Sequence, residues 1–232
     1  GHAGTALSAA LGMAVARDIS GTDEEVVCVA GDAAFTCGPT FEALNNIEHS
    51  TKKLIVVLND NEWSIDKNVG AIAKYFNSLQ TSSTYSHLHK KASDFIEKVA
   101  GRAARNLAHK VEEGAKGLIM PSVLFEEFGL RYYGPIDGHD VHTLIQTFKH
   151  LKEQDEPAIL HIITEKGRGY KPALDNPGKF HGLGPYEVKT GAVAAGTPTA
   201  SDVFARAVTD FAKKDKELVA ITAAMPGGTK LS

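Results

Sequence analysis

Apolar residues gather in four short unbroken runs, Glu25–Ala30, Leu54–Leu58, Leu130–Tyr133 and Ala158–Thr164. These runs are rich in Val, Ile and Leu and do not alternate with polar residues. That is the pattern of parallel strands covered on both faces. Between them the apolar residues recur at helical spacing. Ala6–Asp18 sets Leu7, Leu11 and Val15 on one stripe. Pro39 stands where a helix accepts proline best, in its first turn, ahead of Phe41, Leu44 and Ile47. Asp140–Lys152 carries Val141, Leu144, Ile145 and Phe148. Alternating strands and helices predict an α/β fold: a doubly wound, mostly parallel sheet with helices on both faces.

Two stretches fall outside this alternation. Ser82–Lys116 is polar, with more Lys and Arg than Asp and Glu, and reads as a solvated helical excursion. Gly191–Ala200 (GAVAAGTPTA) reads as a linker. Beyond it, Ser201 is expected to cap a helix running through Ala212, and Leu218–Thr222 to form a further strand. The expected organisation is one incomplete domain over 1–190, a linker over 191–200 and the start of a second domain over 201–232.

Composition narrows the function classes. The chain has 232 residues, a net charge of −3 and 43% hydrophobic residues. Mixed charge of this kind argues against nucleic acid or an anionic membrane as the main partner. No apolar run approaches the roughly 18 residues a bilayer span needs. Cys28 sits inside an apolar run and Cys37 in a loop, which makes no disulfide framework and points to a reducing cytoplasm. The chain opens on Gly1 with no initiator Met, and both ends read as cut points.

The candidate chemistry lies just past the strands. The four runs lead into Gly31-Asp32-Ala33-Ala34, Asn59-Asp60-Asn61-Glu62-Trp63, Gly134-Pro135-Ile136-Asp137-Gly138-His139-Asp140 and Glu165-Lys166-Gly167-Arg168-Gly169-Tyr170. Open α/β sheets bind ligands outside the carboxyl ends of their strands. Asp32 is flanked by small residues, so a bulky ligand can approach the backbone. A buried carboxylate there needs a cation or hydrogen bonds to offset its desolvation. Asp32, Asn61 and a backbone carbonyl supply three hard oxygens. Those are too few for a closed Mg²⁺ cage but suit one completed by water and phosphate oxygens. Gly1-His2-Ala3-Gly4 runs into a helix whose N-terminal N–H groups favour an anion. Together these features point to a metal-bridged phosphate or diphosphate.

Gly-Asp-small followed by Asn-Asp-Asn resembles the signature of thiamine-diphosphate enzymes. The stretches SAALGMAVARD, FEALNN, LIVVLNDNEWSI, NVGA, YYGPIDGHD, LHIITEKGRGYKPA and FHG resemble the 1-deoxy-D-xylulose-5-phosphate synthase family, which is transketolase-like. The resemblance runs from Gly1 to about Ser232 and is weakest over Ser82–Lys116. It implies a thiamine-diphosphate-binding fold and two cofactors, thiamine diphosphate and Mg²⁺. Asp32, Asn61 and the Trp63 carbonyl would hold the metal. Gly1, His2, Ala3, Ala33, Ala34, Asn61 and Tyr170 would contact the cofactor. His181 would be a catalytic acid/base. Ala3 stands in place of the usual Ser, Ala33 in place of Gly and Trp63 in place of Met. The implied reaction is condensation of pyruvate with D-glyceraldehyde 3-phosphate, with loss of CO₂, on the route to isoprenoids and thiamine. Also implied are a homodimer and further domains of the same chain, without which these 232 residues do not turn over.

Plainer alternatives stand beside these. Asp32 can cap the next turn, Asn59 and Asp60 can serve turn chemistry, and His181 can be an ordinary loop histidine. His139 and His142 have helical spacing, but Asp137-Gly138-His139-Asp140 reads as a turn with a helix N-cap rather than a metal pair. Cys37 reads as a packed small residue. Within the class, transketolase or a 2-oxoacid dehydrogenase subunit is the alternative. Outside it stand a non-catalytic Mg²⁺-diphosphate-binding or assembly module and, more remotely, a Mg²⁺ phosphatase using Asp32 and Asp60. No P-loop motif is present.

Overall fold

All four apolar runs become strands of one sheet. In the computed structural model, which describes residues 2–63, 69–81, 123–193, 196–223 and 225–231, they are β1 (Val27–Gly31), β2 (Ile55–Asp60), β3 (Arg131–Asp137) and β4 (Ala158–Ile163). The order is β1-β2-β4-β3 and every pairing is parallel. The helices are α1 (Ala6–Ser20), α2 (Gly38–Ser50), α3 (Ala71–Thr81), α4 (Val123–Glu126), α5 (Val141–Lys152), α6 (Lys171–Asp175), α7 (Ala200–Lys214) and α8 (Pro226–Thr229). The expected excursion over Ser82–Lys116 lies outside the described residues. The described chain divides into two compact units. Residues 1–60 and 69–164 form the first, and residues 61–68 and 165–232 the second.

In the first unit the sheet separates two apolar layers. On one face Leu7, Leu11 and Ala14 of α1, Leu44 and Ile47 of α2, Phe76 of α3 and Phe125 of α4 pack on Val56, Leu58 and Ile159. On the other, Leu144, Phe148 and Leu151 of α5 pack on Ile55, Val57 and Leu160. The expected architecture of helices on both faces is therefore present. Burying each such aliphatic or aromatic side chain stabilises the fold by roughly 1.5–3 kcal/mol. Asp140 caps α5 by accepting the N–H groups of His142 and Thr143 at 3.1 Å each, as the turn reading of Asp137–Asp140 expects.

Three expectations are corrected. The VVCVA run suggested a strand covered on both faces, yet Val27 and Val29 of β1 are 43% and 64% exposed. Among the described strands β1 lies at the sheet edge, and the apolar layer that α5 joins is built from residues of β2, β3 and β4. Leu218–Thr222 is not a strand, and Val219 and Ile221 are exposed. Among the described residues its β-branched residues have no neighbouring ladder to join, and strand propensity without a partner does not make a strand. The last long helix, α7, starts at Ala200 and is capped by Thr199, not Ser201. Thr199 and Asp202 form a reciprocal capping box that outcompetes the later hydroxyl.

A buried polar knot fixes the end of α1. Gly21 takes a left-handed φ of 66° and closes the helix. Arg17, 8% exposed, donates to Asp18 at 2.8 Å and to the Lys53 carbonyl at 2.7 Å. Asp18 also accepts the Thr51 hydroxyl at 2.7 Å and the Lys52 N–H at 2.9 Å. Burial alone would raise the Asp18 carboxyl, but the bonds from Lys52, Thr51 and Arg17 prevail and hold it at about 2. The unfolded value is near 3.9. The stabilisation is therefore complete above about pH 4 and fades as pH falls through about 2. Asp18→Asn should cost about 1–2 kcal/mol near neutral pH and little near pH 2. Thermal melts of parent and variant at the two pH values check this, and an equal gap at both would contradict it.

Candidate functional site

Four parallel strands place their carboxyl ends along one edge of the sheet. β1 ends in Gly31, and Asp32 opens a 3₁₀ helix, Asp32–Thr36. Asp32 is 2% exposed, so its carboxylate sits out of water as the sequence pattern expects. Among the described non-glycine residues only Glu62 and Lys230 take positive φ. Ala33 therefore occupies its position without the backbone strain a positive φ would impose.

The first-unit segments assigned to the cofactor are stitched together by a residue the sequence did not single out. The buried Thr40 hydroxyl lies 2.7 Å from the Ala34 carbonyl and 3.1 Å from the Gly4 carbonyl. Gly4 has φ +72°, and a Cβ there would collide with Cys37. Cys37 is thus a packing residue under the Gly4 turn. His2 and Ala3 are exposed beside that turn, and Gly1 lies outside the described residues. The signal for Thr40 is faint in sequence, because its partners lie in separate segments of the chain.

At the tip of β2, Asn59 and Asp60 do not serve turn chemistry. Both belong to the strand, in register with Ile162 and Ile163 of β4. The Asn59 amide oxygen accepts the Thr164 hydroxyl at 2.7 Å. Asp60, 1% exposed, lies 3.1 Å from Nε2 of the buried His161. Asn61 follows. Its amide oxygen accepts the Trp63 N–H at 3.0 Å, a bond closed over Glu62, whose φ is +62°. A left-handed Glu costs roughly 1–2 kcal/mol, and strain of this kind collects at functional loops.

In the second unit Lys166 is another residue the sequence pattern missed. Its ammonium is 3.0 Å from Nδ1 of the exposed His181 and 5.8 Å from the centroid of the Trp63 ring. Tyr170 packs edge-on to Phe180, with centroids 5.5 Å apart, and donates its hydroxyl to the Val188 carbonyl at 2.8 Å. Desolvation, with Tyr186 and Glu187 nearby, holds this phenol above its usual range.

Among the described residues no group of three or more His, Cys, Asp or Glu could hold a metal ion. His142 pairs with Gln146 at 2.8 Å, not with His139. The expected donor set is of another kind: one carboxylate, one amide oxygen and one carbonyl. The Asn61 oxygen keeps a second lone pair beyond its bond to Trp63. All three donors are hard oxygens, so their chemistry fits Mg²⁺ with a diphosphate.

A model of the family described as 1-deoxy-D-xylulose-5-phosphate synthase matches residues 1–164. The chain belongs to that family. A relative from Acidobacterium capsulatum carrying that name is 60% identical over 232 residues, covering 100% of this chain and 37% of the relative. One of the same name from Methylacidiphilum infernorum is 58% identical, again over 100% of this chain and 37% of the relative. The chain thus spans little more than a third of these family members. A transketolase structure from Campylobacter jejuni overlays with a TM-score of 0.49 at 16% identity, covering 75% of this chain and 22% of that one. No helix among the described residues is long and apolar enough to cross a membrane.

The Lys166 contact predicts a tautomer. An ammonium only donates, so Nδ1 of His181 accepts and the ring proton resides on Nε2. ¹⁵N NMR of the neutral imidazole should show the Nε2–H form. Lys166→Met should shift the spectrum toward a mixture. A predominant Nδ1–H form in the parent would contradict the assignment.

Proposed function

We propose that this chain holds the diphosphate-binding part of a synthase that condenses pyruvate with D-glyceraldehyde 3-phosphate to 1-deoxy-D-xylulose 5-phosphate and CO₂. Family membership over residues 1–164 carries the reading. Thiamine diphosphate, when bound, supplies the carbanion chemistry that pyruvate decarboxylation requires. In this reading the buried Asp32, Asn61 and the Trp63 carbonyl hold Mg²⁺ against the diphosphate. Gly1, His2, Ala3, Ala33, Ala34 and Tyr170 line the cofactor, with the Gly4 and Ala34 segments set by Thr40. His181, its Nδ1 taken by Lys166, presents Nε2–H to a substrate oxygen.

Residues 1–190 then form most of the diphosphate domain, 191–200 the linker and 201–232 the start of the pyrimidine-binding domain. The rest of the longer chain completes the site, so these 232 residues alone give no turnover. The full-length enzyme is a cytoplasmic homodimer.

The test uses the full-length protein containing this chain. Pyruvate and D-glyceraldehyde 3-phosphate should give CO₂ and the deoxy sugar phosphate. Stripping the metal with chelator should abolish the activity, and Mg²⁺ should restore it. Asp32→Ala should lower turnover by ~100-fold or more, beyond the 10–100-fold typical of residues that only orient metal ligands. Turnover of two sugar phosphates without pyruvate would favour a transketolase instead. Unimpaired turnover by Asp32→Ala would remove the metal assignment.

A further inference from the structure

Three polar side chains cross the sheet face packed by α1–α4, where the other inward residues are apolar. Asp60 ends β2, His161 lies on β4 and Tyr132 on β3. Nε2 of His161 is 3.1 Å from Asp60 Oδ2, and Nδ1 is 2.7 Å from the Tyr132 hydroxyl. His161 and Asp60 are 0% and 1% exposed. With Asp60 ionised the bonds run one way: Tyr132 donates to Nδ1, and Nε2–H donates to the carboxylate. The rings are held in turn. Tyr132 stacks on Phe125 with centroids 6.0 Å apart, and Phe76 lies 6.3 Å from His161.

Such a chain is a poor choice for stability alone. Apolar residues of similar shape usually fill a core as well or better, while a buried polar network fixes one arrangement. Its position gives it a use. Asp60 is the residue before Asn61, and the Asp60 carbonyl also accepts the Thr164 N–H at 2.9 Å. The strand tip from which the Asn61–Trp63 loop departs is therefore gripped through both side chain and main chain.

We propose that Asp60, His161 and Tyr132 are positioning residues for the metal loop, fixing the tip of β2 so that Asn61 and the Trp63 carbonyl are preorganised for Mg²⁺. This rests on the metal reading given under Proposed function. Groups that orient metal ligands typically contribute 10–100-fold in affinity. In this arrangement the effect should be graded along the chain, largest at Asp60 and smallest at Tyr132.

The experiment is calorimetric titration of Mg²⁺ into the full-length protein with thiamine diphosphate present, with the melting temperature followed for each variant. Asp60→Asn should weaken Mg²⁺ binding by about 10–100-fold, and His161→Gln by an intermediate factor. Tyr132→Phe, which removes one oxygen and keeps the ring stack, should weaken it by about 3–10-fold. A purely structural role would lower the melting temperature and leave Mg²⁺ affinity within twofold of the parent, and that result overturns the proposal. Should Asp60→Asn or His161→Gln fail to fold, Tyr132→Phe decides by the same criterion. Asp32→Ala separates the two readings. If it abolishes Mg²⁺ binding while the three variants bind normally, only the positioning role falls. If it binds Mg²⁺ like the parent, the metal reading falls and takes the positioning role with it.

Discussion

β2 is the strand on which the arrangement depends. It lies between β1 and β4, hydrogen-bonded to both, with Val57 in register with Val29 on one side and Leu160 on the other. Its side chains are buried on both faces from Ile55 through Leu58. A one-residue slip would exchange its two apolar faces, so the register is strongly specified. The same register fixes which backbone groups emerge at the carboxyl edge: Gly31 stands beside Asn59, and Asp60 beside Ile163. Every candidate ligand past those tips inherits its starting position from this pairing.

Polarity rises along β2 toward that edge. Val56 and Leu58 on the α1–α4 face are aliphatic, and the next inward position is Asp60. The same face of β4 passes from Ile159 to His161, in register with Leu58. Close packing supports the change. Gly134 takes φ +123° beside the bulge in β3, and a Cβ there would collide with the His161 carbonyl. Only glycine lets β3 approach β4 closely enough for Tyr132 and His161 to meet at 2.7 Å. A buried carboxylate without such partners would cost several kcal/mol.

Much of the fold was legible in the chain. All four strands and the helices containing Leu7, Leu44 and Leu144 follow from local apolar spacing, and Asp140 declares its cap within three residues. The burial of Asp32 was legible because a lone acid among small residues directly after a buried run sits close to the strand end. What escaped shares one property: it depends on contacts distant in sequence. Val29 looks like any core residue until β1 proves to be an edge. Leu218–Thr222 has strand composition but, among the described residues, no ladder to join. Thr40 carries no signal without Gly4 and Ala34, and Lys166 none without His181. Asp60 reads as a turn residue until His161, on another strand, turns out to face it.

The chain leaves the first unit at Asp60 and again at Thr164, and both exits are tied to one another. Thr164 donates its N–H to the Asp60 carbonyl at 2.9 Å and its hydroxyl to the Asn59 amide at 2.7 Å. Two hydrogen bonds from one residue, in different directions, leave the two strand ends little freedom to shear or splay. The loops that follow, one bearing Asn61 and Trp63 and the other Lys166, therefore start from a common clamped point. Loops that carry candidate ligands are held more precisely when their roots sit on rigid strands. The left-handed Glu62 fits that logic: local backbone strain is tolerable where the anchor below it does not yield.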